Sequence, residues 1–471
     1  MLFNSLACAA FVIVVTTIHR LLRGSWTAQK RWLLAASWFF YAAWSPGFLV
    51  LLVLTTAVDF QLARAIHRRV AGRDQPGAGA RTLLLAGLAL NLGALGFFKY
   101  GRFFWETLAA LAPIGAPPPM LAIVVPLGIS FYTFHAVSYL VDTYGNVRPP
   151  SERFTDFALY LAFFPQLIAG PITRWSFFGP QLEVPRTADA RAVEEAGFRI
   201  ARGFVKKVVC ADGLGVLVDA VYGDVGAAGG LELVVAFYAY AFQLYFDFSG
   251  YTDIAIGLAR LLGFRLPENF NYPFLAESVG AFWRRWHITL SLWLGDYLFL
   301  PITRAALRRT GRPLASAAIG SVITMLLGGL WHGAAWTFVV WGGLHGVWLA
   351  LHRVVVAVQG GPPRTPLWLR RLVTFNLLCM TFVVFRSPSL AAAGDFFRGL
   401  LAVRPPSGPF PVGAALLILV GVASHALGGT IALERRWPLT PAMVQGAVYG
   451  VVLVLVGLFS AQSERFIYFQ F

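Results

Sequence analysis

The chain has 471 residues, of which 58% are hydrophobic and only 13% are charged. A soluble protein usually carries about 25% charged residues, so this composition excludes an ordinary soluble domain and indicates a multi-pass membrane protein. The formal net charge is +16, and because the basic residues cluster between apolar runs, we interpret it as the bias of cytoplasmic loops rather than as a nucleic-acid surface.

Apolar runs follow one another along the whole chain. A spanning helix needs about 20 apolar residues, and about a dozen runs approach this length. In chain order they cover residues 2–18, 32–41 with 48–62, 83–98, 123–141, 154–172, 204–221, 231–248, 279–300, 315–331, 336–351, 367–385, 412–426 and 444–460. No long polar linker divides them, which predicts one multi-pass membrane domain over residues 1–471. Basic residues follow the first run, which places the N-terminus on the extracytoplasmic side.

Polar residues interrupt the apolar sequence most often between residues 247 and 336. Ionisable groups are costly at membrane depth and usually face a bundle interior or an aqueous cavity, so we expect the site here, within a catalytic core over about residues 150–352. Asp247 lies in the run FDFSGYTDIAIG. It either orients a histidine or ligand or satisfies the backbone of a broken helix, and the second role is favoured. The longest polar stretch, residues 186–207, predicts an amphipathic cytoplasmic helix.

His332 has the most informative surroundings of the eight histidines. It lies in MLLGGLWHGAAWTF, where glycines allow close backbone approach and can leave a groove beside the imidazole. Trp331 and Trp336 would shield that groove from water. A neutral imidazole has an ordinary pKa of about 6.5, which suits a general base. The spacing alone does not distinguish such a base from a histidine that hydrogen-bonds two helices together.

His287 lies about 45 positions earlier, in FWRRWHITLSLWL, and therefore on another element. Arg284 and Arg285 precede it. They either hold the phosphates of a donor by bidentate hydrogen bonds or anchor the segment at the cytoplasmic face. No HExxH motif or carboxylate–histidine cluster with ligand spacing occurs, so no metal site is predicted. No GxSxG motif occurs either, which argues against a conventional covalent hydrolase.

The last six residues, FIYFQF at 466–471, admit two interpretations. They form either an aromatic belt at the membrane interface or a segment that presents the phenol of Tyr468 to the site as an acyl acceptor.

Together these stretches resemble the membrane-bound O-acyltransferase (MBOAT) family. Within it they are similar to the bacterial branch of alginate O-acetylases, peptidoglycan O-acetyltransferases and D-alanyl transfer proteins, and look closest to the alginate O-acetylases. The similar segments are residues 163–174, 246–264, 267–274, 282–302, 325–346 and 466–471. The similarity runs from about residue 32 to 471, and long motifs in a fixed order are a specific signal. One departure concerns Thr303, Arg304 and Ala305, where the family usually has a Gly-Gly-Asn/Ser-Arg turn; it affects donor-side contacts rather than the histidines.

The resemblance implies an all-α integral membrane fold, with a ring of about 11–13 transmembrane helices around a thinned centre and opposed funnels joined by a tunnel. His332 matches the family's principal catalytic histidine and His287 its second. Tyr468 matches a candidate acyl relay. The residues expected to bind the donor or line the site are Arg284, Arg285, Trp283, Trp331, Trp336, Asp247 and Asn271.

It also implies that the chain lies in the inner membrane and moves an acyl group, expected to be acetyl, from a cytoplasmic thioester such as acetyl-CoA for O-acetylation of an extracytoplasmic polysaccharide. No tightly bound cofactor and no nucleic acid are expected. The expected partners are membrane lipid, the thioester donor, the polysaccharide and a periplasmic SGNH or esterase-like acetyltransferase. Two alternatives stay open. A transporter or export channel would predict internal symmetry, which the sequence does not show. A lipid or protein O-acyltransferase of the same superfamily would use a long-chain donor.

Overall fold

The computed structural model describes residues 5–72, 77–112, 115, 118, 124–361, 364–402, 404–428, 430–459 and 466–467. In this part of the chain all regular secondary structure is helical, which confirms the predicted all-α class. The chain divides into two compact units, residues 1–200 with 254–267 and residues 201–253 with 268–471. The single domain predicted over residues 1–471 stays a prediction.

The first unit is built from short and medium helices, some of which begin at capping residues. The serine hydroxyls of Ser5 and Ser25 accept hydrogen bonds from the third residue beyond them, which satisfies a backbone N–H at each helix start. The helices are α1 Leu6–Leu21, α2 Trp26–Ala42, α3 Pro46–Val70, α4 Ala78–Leu95, α5 Gly101–Ala109, α6 Ile129–Tyr144, α7 Phe154–Ala162, α8 Phe164–Leu167, α9 Trp175–Glu183 and α10 Ala190–Phe204, with a π-helical turn at Gly96–Tyr100.

The second unit contains every sequence-predicted site residue that the structure describes. Its helices are α11 Asp212–Gly223, α12 Gly230–Leu261, α13 Val279–Trp283, α14 Ile288–Leu294, α15 Leu300–Thr310, α16 Pro313–His332, α17 Trp336–Gln359, α18 Leu367–Arg386, α19 Leu390–Leu401, α20 Val412–Leu427, α21 Thr430–Arg436 and α22 Ala442–Phe459. Two π-helical turns occur at Val205–Ala211 and Gly295–Phe299, and two 3₁₀ turns at Pro273–Leu275 and Trp437–Leu439. Two of the three unit boundaries fall within α10 and α12, and the third lies between residues 267 and 268.

Seven helices of the described chain are long and apolar enough to cross a membrane, or eight if a bent pair at residues 412–427 and 432–439 counts as one crossing. They are Pro46–Val70, Ala78–Ala109, Gly230–Leu261, Pro313–His332, Trp336–Gln359, Leu367–Arg386 and Ala442–Phe459. The multi-pass membrane class is therefore confirmed. The higher helix count, the ring and the joined funnels stay predictions.

The run predicted as one span over residues 279–300 is instead broken. Helix α13 ends at Trp283, and α14 begins at Ile288. Between them His287 adopts the left-handed conformation, with φ 41° and ψ 53°. That conformation costs a residue with a Cβ about 1–2 kcal/mol, so it must be held by its surroundings. The break puts His287 at the start of α14 rather than inside a helix.

Glycines bring α16 and α17 into close contact. A Cβ added at Gly329 would collide with the carbonyl oxygen of Phe338, and one at Gly342 with the carbonyl oxygen of Met325. The sequence attributes the glycines around His332 to close packing and to a groove. The structure shows the packing role: only a hydrogen in place of the side chain lets the two backbones approach this closely.

Candidate active site

His332 is the last residue of α16 and lies in a buried cage of aromatic rings. Its ring centroid is 4.9 Å from Trp331, 5.0 Å from Trp341 and 5.5 Å from Phe385, all in edge-on arrangements. Only 5% of His332 is exposed. The close crossing of α16 and α17 creates this cage, because it places the last turn of one helix against the second turn of the other.

Trp331 joins the two predicted histidines. Its ring centroid is 4.9 Å from His332 and 6.1 Å from His287, which lies on a different element. His287 also contacts Phe248 of α12, whose ring centroid is 4.7 Å away. The structure therefore brings together the two histidines that the sequence singles out, around one shared indole.

Asn269 fixes the tautomer of His287. The Asn269 side-chain oxygen accepts hydrogen bonds from the Thr289 backbone N–H at 3.1 Å and from the Thr289 hydroxyl at 3.0 Å. A backbone N–H only donates, so this atom of Asn269 must be the oxygen. His287 Nδ1, 3.2 Å from the same oxygen, must then carry the proton. The lone pair of the imidazole is consequently on Nε2.

Backbone pairing holds His287 in its strained conformation. The Ile288 N–H donates to the Asn269 carbonyl at 3.0 Å, and the Asn271 N–H donates to the Arg285 carbonyl at 2.9 Å. His287 is fully buried and lies outside the helices that are long enough to cross a membrane. Burial lowers its pKa to about 3, so the imidazole is neutral at ordinary pH.

Asn271 and Trp336 are exposed in the structure, and a nearby residue of the same type makes each of the expected contacts. Asn271 is exposed, and the buried asparagine that contacts His287 is Asn269, two positions earlier. The register of the backbone pairing decides which asparagine points inward. Trp336, predicted to shield His332, exposes 52% of its surface. The α17 indole that is buried against His332 is Trp341, five positions later.

Arg284 is exposed and Arg285 is partly exposed, next to the buried histidine segment. The Arg285 guanidinium donates to the Asn271 carbonyl at 3.3 Å, so part of its hydrogen-bonding capacity stabilises the turn. Both guanidinium groups have solvent access, which suits either of the two roles that the sequence leaves open for them.

Trp283 contacts a third histidine that the sequence does not assign to the site. The Trp283 indole N–H donates to His345 Nδ1 at 3.3 Å, and His345 Nε2 is 3.1 Å from the Thr381 hydroxyl. That hydroxyl donates to the Leu378 carbonyl at 2.7 Å, so it accepts from Nε2–H. Both nitrogens of His345 are therefore used within the protein. The signal available in the sequence is the position of His345 four residues after Trp341, on the same face of α17.

Asp247 belongs to a buried ion cluster, not to a broken helix. Helix α12 runs through the polar run without interruption, so the favoured prediction for Asp247 is wrong. Its carboxylate accepts from Lys207 Nζ at 2.7 Å, and the same ammonium donates to Asp212 at 2.6 Å. The sequence predicts Lys207 on an amphipathic cytoplasmic helix; that helix ends at Phe204, and Lys207 is buried in the π-helical turn beyond it.

The charge state of Lys207 follows from its partners. Burial acts to lower its pKa, but the carboxylates of Asp247 and Asp212 outweigh burial and raise the pKa above its ordinary value. Lys207 therefore stays protonated between the two carboxylates. Tyr468, the candidate acyl relay, lies outside the described residues. The two residues before it, Phe466 and Ile467, are described and buried.

No cluster of three or more His, Cys, Asp or Glu side chains that could hold a metal ion is found within the described ranges. The predicted absence of a metal stays a prediction.

The model of the family described as "MBOAT, membrane-bound O-acyltransferase family" matches residues 124–387, more than half of the chain. This range contains both clustered histidines and the indoles around them. The chain belongs to this family and is a membrane-bound O-acyltransferase.

Three named relatives are similar to this chain over most of its length. The chain is 39% identical over 374 residues to a Pseudomonas aeruginosa protein named "Probable alginate O-acetylase AlgI", covering 79% of this chain and 69% of the relative. It is 35% identical over 404 residues to the peptidoglycan O-acetyltransferase of Helicobacter pylori, covering 80% of this chain and 74% of that relative. The teichoic acid D-alanyltransferase of Bacillus subtilis is 26% identical over 290 residues, covering 60% and 73%.

Proposed function

We propose that this O-acyltransferase moves an acetyl group from a cytoplasmic thioester, acetyl-CoA, across the membrane for O-acetylation of an extracytoplasmic polysaccharide, and that His332 and His287 carry the reaction. The supporting observation is the pair of buried histidines around Trp331, one of them held in a defined neutral tautomer. The two O-acetyltransferase relatives favour acetyl as the group and a polysaccharide or glycan as the acceptor.

His332 is the general base of the proposed step. It takes the proton from the acceptor hydroxyl while the hydroxyl oxygen attacks the thioester carbonyl carbon. The tetrahedral intermediate collapses, the carbon–sulfur bond breaks, and an ester forms. The leaving thiolate takes the proton back from the His332 imidazolium, so the base is regenerated and the products are the ester and free thiol.

His287 is the proposed holding residue beside this base. Because its Nδ1 proton is committed to Asn269, its Nε2 accepts a hydrogen bond from an N–H or O–H of the bound substrate. The solvent-accessible Arg284 and Arg285 nearby are the proposed contacts for donor phosphates.

Trp341 is the proposed donor to the oxyanion. Its indole N–H is buried and has no hydrogen-bond partner among the described residues, and its ring lies 5.0 Å from His332. A donor held in place before reaction stabilises the developing negative charge without reorganisation. A buried N–H left unpaired is otherwise a cost to the fold, which supports a role in the reaction.

Tyr468 is the proposed first acceptor, from which an esterase-like periplasmic partner would pass acetyl to the polymer. This division of labour answers a physical problem, since the activated thioester is cytoplasmic and the polymer is outside. The relatives named for alginate and for peptidoglycan leave two polymer classes as the first acceptors to test.

The decisive experiment replaces His332 with Gln in the full-length protein in membranes, with acetyl-CoA as the donor. Thiol release and acetyl incorporation into alginate or peptidoglycan are measured together. We expect both to fall by roughly 10²- to 10⁴-fold, the usual contribution of a general base. His425→Gln is the matched control: that histidine is also buried among aromatic rings, and its Nδ1–H donates to the Gly421 carbonyl at 2.9 Å. Unchanged transfer in a correctly folded His332→Gln protein would remove the basis of the proposal.

A further inference from the structure

The buried ion cluster binds a distant segment of the chain. The second carboxylate oxygen of Asp247 accepts a hydrogen bond from the Ile467 backbone N–H at 3.0 Å. The Phe466 ring centroid is 4.8 Å from Lys207 Nζ, a cation–π contact, and 4.7 Å from the Tyr251 ring in an edge-on arrangement. Phe466 is 1% exposed and Ile467 is 7% exposed, so the segment is inserted rather than laid on a surface.

The charges of the cluster explain why it binds this segment. One ammonium, Lys207, faces two carboxylates, Asp247 and Asp212, and all three side chains are almost fully buried. Lys207 Nζ donates to one oxygen of Asp247, and a buried carboxylate is stabilised when its second oxygen also accepts from a donor. The Ile467 N–H is that donor. The face of the Phe466 ring is partly negative and lies over the ammonium.

Two consecutive residues of α12 contact the anchored segment 466–467 and the candidate catalytic residue His287. Asp247 binds Ile467, and Phe248 packs on His287 at 4.7 Å. Tyr468 is the next residue in the sequence, one peptide bond from the anchored segment.

We propose that Lys207 and Asp247 are positioning residues that hold segment 466–467 on α12 and so direct Tyr468 toward the catalytic histidines. This proposal rests on the proposed role of Tyr468 as first acceptor. Lys207 itself touches no substrate; it keeps Asp247 charged and aligned, and it binds Phe466. The anchor thus makes the position of the acceptor depend on a charge that the sequence places more than 250 positions away.

The test measures whether the segment is held. In an Ile467→Cys protein, the rate at which a soluble maleimide labels the introduced thiol is compared with and without Lys207→Met. The backbone N–H at position 467 is retained, and the native cysteines Cys8, Cys210 and Cys379 are buried and provide the background. We expect labelling to rise roughly tenfold, equivalent to about 1.4 kcal/mol of anchoring free energy.

Lys206→Met is the matched control. Lys206 is the preceding residue in the same π-helical turn and pairs with Asp253 at 2.8 Å, so its replacement removes a neighbouring ion pair and leaves the one between Lys207 and Asp247 in place. This variant is expected to leave the introduced thiol protected. Equal labelling in the two variants, or no increase with Lys207→Met, overturns the proposal.

Transfer assays separate the anchor from the relay. Lys207→Met is expected to lower kcat for transfer with little change in the KM for acetyl-CoA, and Lys207→Arg is expected to restore part of kcat. If Lys207→Met does not fold, Phe466→Leu removes the ring from the ammonium and should expose the introduced thiol equally; protection in that variant overturns the anchor. Tyr468→Phe tests the relay alone. Full transfer by Tyr468→Phe, with the thiol at position 467 still protected, refutes the relay and the proposed purpose of the anchor but not the docking itself.

Discussion

Two buried histidines in the second unit have similar surroundings and different hydrogen bonding. His345 contacts Trp283 and Trp341, and both of its nitrogens are bonded within the protein. His287 contacts Trp331 and Phe248, and its Nδ1 proton is committed to Asn269. In His345 the lone pair is consumed by an indole N–H. In His287 it is on the nitrogen opposite the side chain that fixes the tautomer.

The comparison shows that burial among indoles does not by itself mark a reactive histidine. Both imidazoles are fully buried, and both lie next to tryptophan. In His345 the lone pair that a base or a substrate-holding group needs already accepts from the Trp283 indole N–H. The partner of the lone-pair nitrogen, an indole N–H in His345, is therefore the observation that identifies His345 as a histidine that joins helices.

After His332 itself, the largest effect is expected from Trp341, which contacts both His332 and His345. Its ring lies 5.0 Å from His332 and 4.8 Å from His345. Trp341→Phe keeps a ring in the cage and removes the indole N–H. If that N–H stabilises the oxyanion, kcat should fall by roughly 10²-fold, the effect of losing one such donor. Trp336→Phe, at a half-exposed position on the same helix, is the control.

If kcat does not fall in Trp341→Phe, Trp341 has a structural role like that of His345. A lower Tm with unchanged kcat in the folded fraction would mean that the indole only packs between the two histidines. The donor to the oxyanion would then have to be sought elsewhere.

A smaller effect is expected from Asn269, which tests the tautomer argument directly. Asn269→Ala removes the acceptor of the His287 Nδ1 proton and should lower transfer by roughly tenfold, as for other residues that orient a functional histidine. Asn269→Asp keeps an acceptor oxygen but adds a negative charge, which favours imidazolium and raises the His287 pKa from its low value of about 3.

The pH dependence of the transfer rate shows in which direction the His287 pKa has moved. With Asn269 in place, His287 stays neutral from about pH 5 upward, so it should add no acid limb to the rate profile. In the Asn269→Asp variant the raised pKa should bring protonation of His287 into the measured range, and transfer should decline as the pH falls. Identical profiles for Asn269→Asp and the unaltered protein would show that His287 does not act through its neutral form.

The membrane class and the choice of candidate histidines could be predicted because they depend on local composition. The apolar runs predict an all-α membrane protein, and seven helices of sufficient length confirm it. His332 and His287 stand out because each is an ionisable residue within an apolar, tryptophan-rich stretch. Their meeting at Trp331 could be expected only from the family resemblance, since nothing in the spacing relates the two segments.

The errors come from pairings that sequence distance hides. Asn269 and Asn271 occur in one short motif, and only the register of the backbone pairing with residues 285–288 decides which side chain turns inward. Lys207 and Asp247 are 40 positions apart, so a cation in a polar stretch and an acid in an apolar run look unrelated. Taken alone, Lys207 looks like a solvated cytoplasmic lysine, and Asp247 looks like a carboxylate in a broken helix. The ion pair explains both positions, because each charge stabilises the other when both are buried.

The smallest effect on transfer is expected at His345, whose two ring nitrogens are both hydrogen-bonded within the protein. Thr381→Val keeps the shape of the side chain but removes the hydroxyl that accepts from His345 Nε2–H. An unsatisfied buried donor costs about 1–3 kcal/mol, so Tm should fall while kcat of the folded protein stays within about twofold. Thermal unfolding and transfer measured on the same preparations check this. A large loss of kcat without a loss of stability would mean that His345 belongs with His287 and His332, and that a fully bonded imidazole can serve the reaction by holding Trp341 in place.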